Sequence, residues 1–332
     1  MDTISSALVA IVMFWNLENF FIPSVDSATD VDFTPSGEKH WTWNRFHKKC
    51  NDIVKIVLLT KEKYGKYPSI IGLCEVENRK ALNSLLYDTP LAKLGYGILH
   101  KESGDHRGID VALFYRKEEC RIIENRFFPV ISKEGDTIPT RDILYAQILM
   151  NEIDTFHVMV NHWPSKMGGE AISLPKRMAA SQRVKLLCSE ILENNGGANI
   201  IVMGDFNDNE MGKPLKNIDN LLNMSIIKDS ILKTLPGCER RKRAVSDYFV
   251  EGTYKYKGVW ESIDHFLISR GMYSGRWLFT GDDSIEYLIT RYLLEEDILY
   301  GGFRTRRTYI GPRYNGGVSD HLPIILKVYE RK

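Results

Sequence analysis

Eight short runs rich in Ile, Val and aromatic residues recur along this chain, at residues 8–15, 69–74, 109–115, 143–150, 156–161, 199–203, 263–269 and 323–328. Their length and β-branched content predict strands. Two longer stretches carry apolar residues at helical spacing instead. Residues 44–63 repeat Phe46, Cys50, Ile53, Val57 and Leu58, and residues 175–195 repeat Met178, Val184, Leu187, Cys188, Ile191 and Leu192. The second begins after Ser173, a cap, and stops at Gly196 and Gly197. Strands interleaved with helices predict a layered α/β protein.

The 332 residues are 43% hydrophobic, enough apolar mass for a sizeable core. No repeat and no low-complexity linker divides them, so residues 1–332 are expected to form a single domain. Two stretches, about 208–250 and 271–316, read as long loops. The formal net charge is +1, which excludes a globally basic nucleic-acid binder. A polyanion would have to be met by local patches. Arg240, Arg241, Lys242 and Arg243 form one; Arg304, Arg306, Arg307 and Arg313, among Tyr300, Phe303, Tyr309 and Tyr314, form another. Each reads either as a solvated face or as a phosphate contact.

The five cysteines show no CxxC or zinc spacing, and Cys74 and Cys188 fall in apolar runs as core residues. The opening MDTISSALVAIVMFW has an apolar stretch of signal-peptide length. It lacks a basic start, carries Asp2 and runs straight into polar residues, so a buried strand is the better reading. No apolar segment is long enough to span a bilayer. The expectation is a soluble chain without an evident signal peptide, cytoplasmic, or secreted where a leader was removed. No protein partner is indicated.

The runs end alike. Residues 8–15 lead into Asn16-Leu17-Glu18, residues 69–74 into Glu75-Val76-Glu77-Asn78, and the run ending at Val160 into Asn161-His162. Residues 199–203 lead into Gly204-Asp205-Phe206-Asn207-Asp208. Ligand sites in α/β sheets gather outside strand ends, so these groups are expected to converge with Asp320 and His321 of GVSDHLPI. Carboxylates and amides without thiolates favour Mg²⁺ or Mn²⁺, with Ca²⁺ possible at a related site. A hard cation among acids and imidazoles suits hydrolysis of a phosphate ester. The sequence has no GxxxxGK[ST] loop, no GxSxG and no HExxH, which sets aside loop-type NTPases, serine hydrolases and HExxH zinc proteases.

WNLENF, GLCEVEN, NHWPS, MGDFND, SIDHFLIS and GVSDHLPI occur in that order between residues 15 and 324. Together they resemble the endonuclease/exonuclease/phosphatase superfamily, which includes deoxyribonuclease I and exonuclease III. The resemblance implies a four-layer α/β sandwich: two mixed β-sheets packed face to face and flanked by helices. It makes Asp320-His321 the terminal dyad, with Asp264 orienting His321 through a hydrogen bond. Glu75, Asn16, Asp320 and Glu18 are the metal-side residues. Asp205 orients or deprotonates the attacking water, and Asn207 holds a phosphate oxygen. His162 resembles a second histidine that pairs with a carboxylate. Asp110 is the candidate partner, because an acid in an apolar strand must be paired; Arg107 and Arg116 are the alternatives. Glu77 is expected to cap the following helix.

One departure stands out: Arg107, Gly108 and Ile109 occupy the place of a tyrosine found in exonuclease III-like repair enzymes. The implied function is a metal-dependent phosphodiesterase, foremost a nuclease cutting DNA or RNA. A phosphoesterase on an inositol phosphate, sphingomyelin or another small or lipid-linked phosphate is the alternative. Nucleic acid is the expected partner, with Lys166, Arg177, Arg307 and Arg313 as substrate-binding candidates. No exposed apolar hairpin is recognisable in the sequence, which counts against a membrane-bound lipid substrate.

Overall fold

The computed structural model describes residues 6–24, 31–224, 250–274, 278–281 and 284–331. Along the chain, the first four strands are β1 (Ser6–Phe20), β2 (Ile70–Val76), β3 (Tyr96–His100) and β4 (Asp110–Arg116). The next five are β5 (Cys120–Phe128), β6 (Ile143–Met150), β7 (Asp154–His162), β8 (Asn199–Asp205) and β9 (Leu222–Met224). A hairpin of β10 (Tyr254–Tyr256) and β11 (Val259–Glu261) precedes β12 (Asp264–Ile268). Six short strands follow: β13 (Leu278–Phe279), β14 (Ile285–Tyr287), β15 (Leu294–Glu296), β16 (Phe303–Thr305), β17 (Tyr309–Ile310) and β18 (Arg313–Tyr314). The last strand is β19 (Ile324–Arg331). The long helices are α1 (Trp43–Tyr64), α2 (Arg79–Tyr87) and α3 (Glu170–Asn194).

One sheet runs β13-β19-β1-β2-β4-β3, with β14 also on β19; the other runs β5-β6-β7-β8-β12-β9. Both are mixed, because β1 pairs in parallel with β2 and β7 with β8 while their other neighbours are antiparallel. Alternation along each strand builds the layers. Ala10, Val12 and Phe14 of β1 pack between the sheets with Val158, Val160, Ile201, Met203 and Phe266. Ile11, Met13 and Trp15 face the other way, onto α1 and α2 through Phe46, Ile53, Leu82 and Leu85. Ile200 and Val202 of β8 pack with Val184 and Cys188 of α3. The result is the expected four-layer sandwich, helices outside and two sheets within.

The eight predicted strands and both predicted helices are present. α3 begins at Glu170, five residues before the predicted start at 175, with Gly169 rather than Ser173 at its N-cap, and takes Pro175 inside it. β3, β5 and α2 were not anticipated. Asn78 caps α2 by accepting from the Ala81 N–H, whereas Glu77 accepts the Ile22 N–H at 2.7 Å and ties β1 to β2 instead. The described residues of 271–316 carry six short strands, β13 to β18, rather than an irregular loop. Arg240, Arg241, Lys242 and Arg243 lie outside the described residues. Close backbone passage near the end of the chain demands glycine at Gly317, where a Cβ would stand 1.9 Å from the Arg306 carbonyl oxygen.

Candidate active site at the strand ends

Strand parity brings the polar ends together. In β1 the residues facing between the sheets are Ala10, Val12 and Phe14, so Asn16 is next in that row. The same count in β7 gives Phe156, Val158, Val160 and then His162; in β8 it gives Ile201, Met203 and then Asp205. β12 runs antiparallel to β8 and pairs Asp264 with Asp205, so its first residue meets the last of β8. β19 is likewise antiparallel to β1, which puts the preceding Asp320 and His321 at the mouth. Each strand is apolar between the sheets until it emerges, and the first residue past the apolar row is polar.

Backbone strain marks the same place. Glu18, Asn19, Glu75 and Asn207 all have φ between 48° and 58°, in the left-handed region. Asparagine tolerates this; glutamate does not do so readily, at a cost on the order of 1 kcal/mol. At Glu75 the strain coincides with a register shift between Cys74 and Val76 opposite β4, which turns its side chain out of the helix-facing row of Ile71 and Leu73. The carboxylate then accepts the Asn19 N–H at 2.7 Å.

Asp205 is the centre. It is buried, and its Oδ2 lies 3.7 Å from His162 Nε2, 3.9 Å from His321 Nε2 and 3.1 Å from Asn16 Nδ2. Its Oδ1 accepts the Asn207 N–H at 2.9 Å. Burial and the neighbouring Asp264 push its pKa to about 7, against the pull of His321 and its hydrogen bonds. His321 Nδ1 bonds Asp264 Oδ2 at 2.8 Å, as expected. Burial opposes the imidazolium, but Asp264, Asp205 and Asp320 outweigh it and raise His321 well above the usual range. His162 moves the other way, lowered by burial and by Arg141, Arg107 and His321. At neutral pH the site therefore holds one charged and one neutral imidazole either side of a carboxyl that can gain or lose its proton.

The His321 backbone is held as firmly as its ring. Its carbonyl accepts from Trp15 Nε1 at 2.9 Å, and its N–H donates to Ser319 Oγ, which itself donates to the Asn16 carbonyl at 2.6 Å. Arg141 does the same for the next strand, donating to the carbonyls of His162 and Trp163.

Several expectations are corrected. Asp110 does not pair with His162. Its row in β4 holds Ala112 and Phe114, which face the helices, so it bonds His100 Nε2 at 3.2 Å and Ser103 Oγ at 2.6 Å. Arg177 is fully buried; it donates to Ser173 Oγ and stands 3.4 Å from Asp208, so it braces α3 and presents nothing to a substrate. Lys166 is partly exposed, 3.5 Å from the same Asp208. Asn16 turns its oxygen to the Glu18 N–H and its amide nitrogen to Glu75 and Asp205, so it donates to the acids. Glu18 is buried, with its carboxylate on the Thr308 N–H at 2.6 Å. Arg307 does reach the mouth, donating to Asp320 at 3.0 Å. Arg313 stands exposed on β18, opposite Ile310.

Three contributors were missed. Asn19 holds Glu75 through its N–H. Lys49 of α1 is buried and donates to the Glu18 carbonyl and Thr308 Oγ1. Its signal was legible: it falls between Phe46 and Ile53 on the apolar stripe of α1. Tyr254 lies with its ring 5.0 Å from that of His321, beside Arg307, and nothing in the sequence flags it.

The donor set fits a hard cation. Ligand atoms of Asp205, Asp264 and His321 lie within 4.8 Å of one another, a grouping that can hold a metal ion. The Nδ1–Asp264 hydrogen bond already uses one of those atoms, which moves the better position towards the other oxygens. Burial and Asp320 push Glu18 to about 7, as burial and Asp264 do Asp205, so both acids gain from a cation placed beside them.

The sequence profile of the Endonuclease/Exonuclease/phosphatase family matches residues 11–330. No curated protein matches the sequence. Among solved structures, an endonuclease/exonuclease/phosphatase family protein from Bacteroides thetaiotaomicron is similar at 14% identity and TM-score 0.57, over 98% of this chain and 96% of that one. A mannosyl-6-phosphatase from Bacteroides thetaiotaomicron is similar at 14% identity and TM-score 0.56, over 96% and 99%. TDP2 from D. rerio, complexed with a single-strand DNA product, is similar at 12% identity and TM-score 0.53, over 98% and 99%. At such identities the structural likeness speaks for the fold.

Proposed function

Because the chain belongs to the endonuclease/exonuclease/phosphatase family, whose members hydrolyse phosphoesters, we propose that it is a divalent-metal-dependent phosphodiesterase working by direct attack of water. The observation that carries this reading is Asp205, flanked within 4 Å by a charged and a neutral imidazole and poised to exchange a proton near pH 7. Asp205 takes the proton of the attacking water. His321, locked by Asp264, faces the scissile phosphate as a cation and stabilises the charge that builds there. His162 holds a phosphate oxygen as a neutral donor. Asn207 keeps one amide hydrogen on the Trp163 carbonyl and offers the other to the phosphate. Glu75 and Asp320, with Asp205 adjacent, would hold Mg²⁺ or Mn²⁺, which when bound neutralises phosphate charge. Asn16 keeps Glu75 and Asp205 in place by donating to both.

A nucleic-acid strand is the first substrate reading, supported by Arg307 and Tyr254 at the mouth and by the DNA product bound to a protein of the same fold. A lipid-linked phosphodiester is the second. It is favoured by an exposed apolar hairpin pair beside the mouth, the feature that the sequence does not reveal. The deciding experiment is turnover with Mg²⁺ on single-stranded DNA, RNA, inositol phosphates and sphingomyelin. Cutting of the polymers alone selects the first reading and turnover of sphingomyelin alone the second; silence on all four would remove the phosphodiesterase reading.

A metal held by Glu75 and Asp320 is favoured by ionised acids beside it and disfavoured by protons on them. With Asp205 and Glu18 near 7, most of each is protonated at pH 5.5 and ionised at pH 8. Mn²⁺ is therefore expected to bind roughly tenfold or more weakly at pH 5.5 than at pH 8. The check is the rise in melting temperature on adding Mn²⁺ at each pH; an equal rise at both would contradict it.

A further inference from the structure

Beside the catalytic mouth, two hairpins lean together. β10–β11 carries Tyr256, Lys257, Gly258 and Val259 at its tip, and β15–β16 carries Ile298, Leu299 and Tyr300. They touch directly: a Cβ on Gly258 would lie 3.0 Å from the Tyr300 Cβ. Lys255 crosses between them, paired with Asp297 at 2.9 Å and donating to the carbonyls of Gly301 and Phe303. The base of this pair is thus polar, buried and satisfied.

The tip is the opposite. Ile298 is 93% exposed, Leu299 76% and Val259 63%, with Tyr256 and Tyr300 about half exposed around them. Burying a large aliphatic side chain is worth about 1.5–3 kcal/mol, so consecutive ones held in water await a partner. The tip protrudes, which suits insertion into a soft surface better than a fit into a rigid groove.

Its charge pattern names the surface. Of the acids behind the tip, Asp297 is matched by Lys255 and Glu295 by Arg304 and Asn315, while Glu261 and Glu296 stand exposed on the outer flanks of β11 and β15. Lys257 stands exposed over the Tyr256 ring. Aliphatic side chains, tyrosines and a cation gathered at one protruding tip are the groups with which a protein enters a phospholipid interface: acyl chains take the first, the headgroup boundary the second, phosphates the third. The pair is also continuous with the active site. Tyr254, two residues before Tyr256, packs on His321, so about 7 Å of strand separates tip from mouth.

We propose that the paired tips of β10–β11 and β15–β16 dock this protein on a phospholipid surface, with the catalytic mouth at headgroup level. Docking rests on the exposed tips; that headgroups then meet the site as substrate rests on the hydrolase reading. The test uses the full chain and vesicles of phosphatidylcholine with and without phosphatidylserine, in flotation. Wild type is expected to float with vesicles. The double variant Ile298→Asp, Leu299→Asp is expected to lose roughly tenfold or more of its vesicle-bound fraction, by the burial scale above. Both positions are solvent-facing, so turnover of soluble bis(p-nitrophenyl) phosphate should not change, and Tyr256→Ala gives a milder release. Absence of wild-type binding would overturn the proposal, as would equal binding by the double variant. Loss of single-stranded oligonucleotide binding in that variant without vesicle binding by wild type would assign the tips to nucleic acid instead. Vesicle binding without soluble turnover would sink the hydrolase reading alone.

Discussion

Asp205→Asn is expected to lower turnover of a soluble phosphodiester by about 10² or more, with the fold intact. Asparagine keeps the shape and can still accept the Asn207 N–H. What it removes is the carboxylate that takes a proton from water. The acid stands in a row of apolar neighbours, Ile201 and Met203, and ionises near pH 7 because burial disfavours its charge. Loss of that buried charge should leave the melting temperature of the metal-free protein unchanged or higher. Near-wild-type kcat in a folded variant would take Asp205 out of the mechanism.

The second large effect is at Asp264, a positioning residue that acts through His321. Asp264→Asn should cut kcat by roughly 10² to 10⁴, the range seen when the carboxylate behind a catalytic imidazole is neutralised. Its distinguishing readout is the titration of His321. Asp264 is the chief group raising that imidazole against the opposing effect of burial. Removing its charge lets burial prevail, so the His321 pKa falls and the alkaline limb of the pH–rate profile moves to lower pH. An NMR titration of His321 that does not move in the variant would mean that Asp264 only supports the fold.

The strands were legible because the signal that defines them, apolar alternation, is also the signal that aims the site. Asn16, His162, Asp205 and Asp264 each continue an inter-sheet row, so reading the parity of β1, β7, β8 and β12 already points them at one another. Asp110 failed for the same reason. Its row contains Ala112 and Phe114, and counting from them would have placed it towards the helices, where His100 and Ser103 satisfy it.

Other features depend on contacts between residues far apart in sequence. Tyr254 reaches His321 across 67 positions only because the Thr253 carbonyl accepts the Leu322 N–H. β5 alternates weakly, with one edge unpaired, so its pattern is faint. The run Ile298-Leu299-Tyr300 falls in the stretch 271–316, which the sequence reads as a loop; only the turn between β15 and β16 shows that its side chains gather at one exposed tip. Arg177 reads as a surface cation, but α3 folds it inward against Asp208.

The most direct test of the hydrolase account is a metal titration. The protein is stripped with EDTA, and hydrolysis of bis(p-nitrophenyl) phosphate is followed as Mg²⁺ or Mn²⁺ is returned. The acids around Asp205 predict no turnover in the stripped protein, recovery with either ion and loss again with EDTA. Turnover that survives stripping undiminished would contradict a metal-dependent phosphodiesterase at this site.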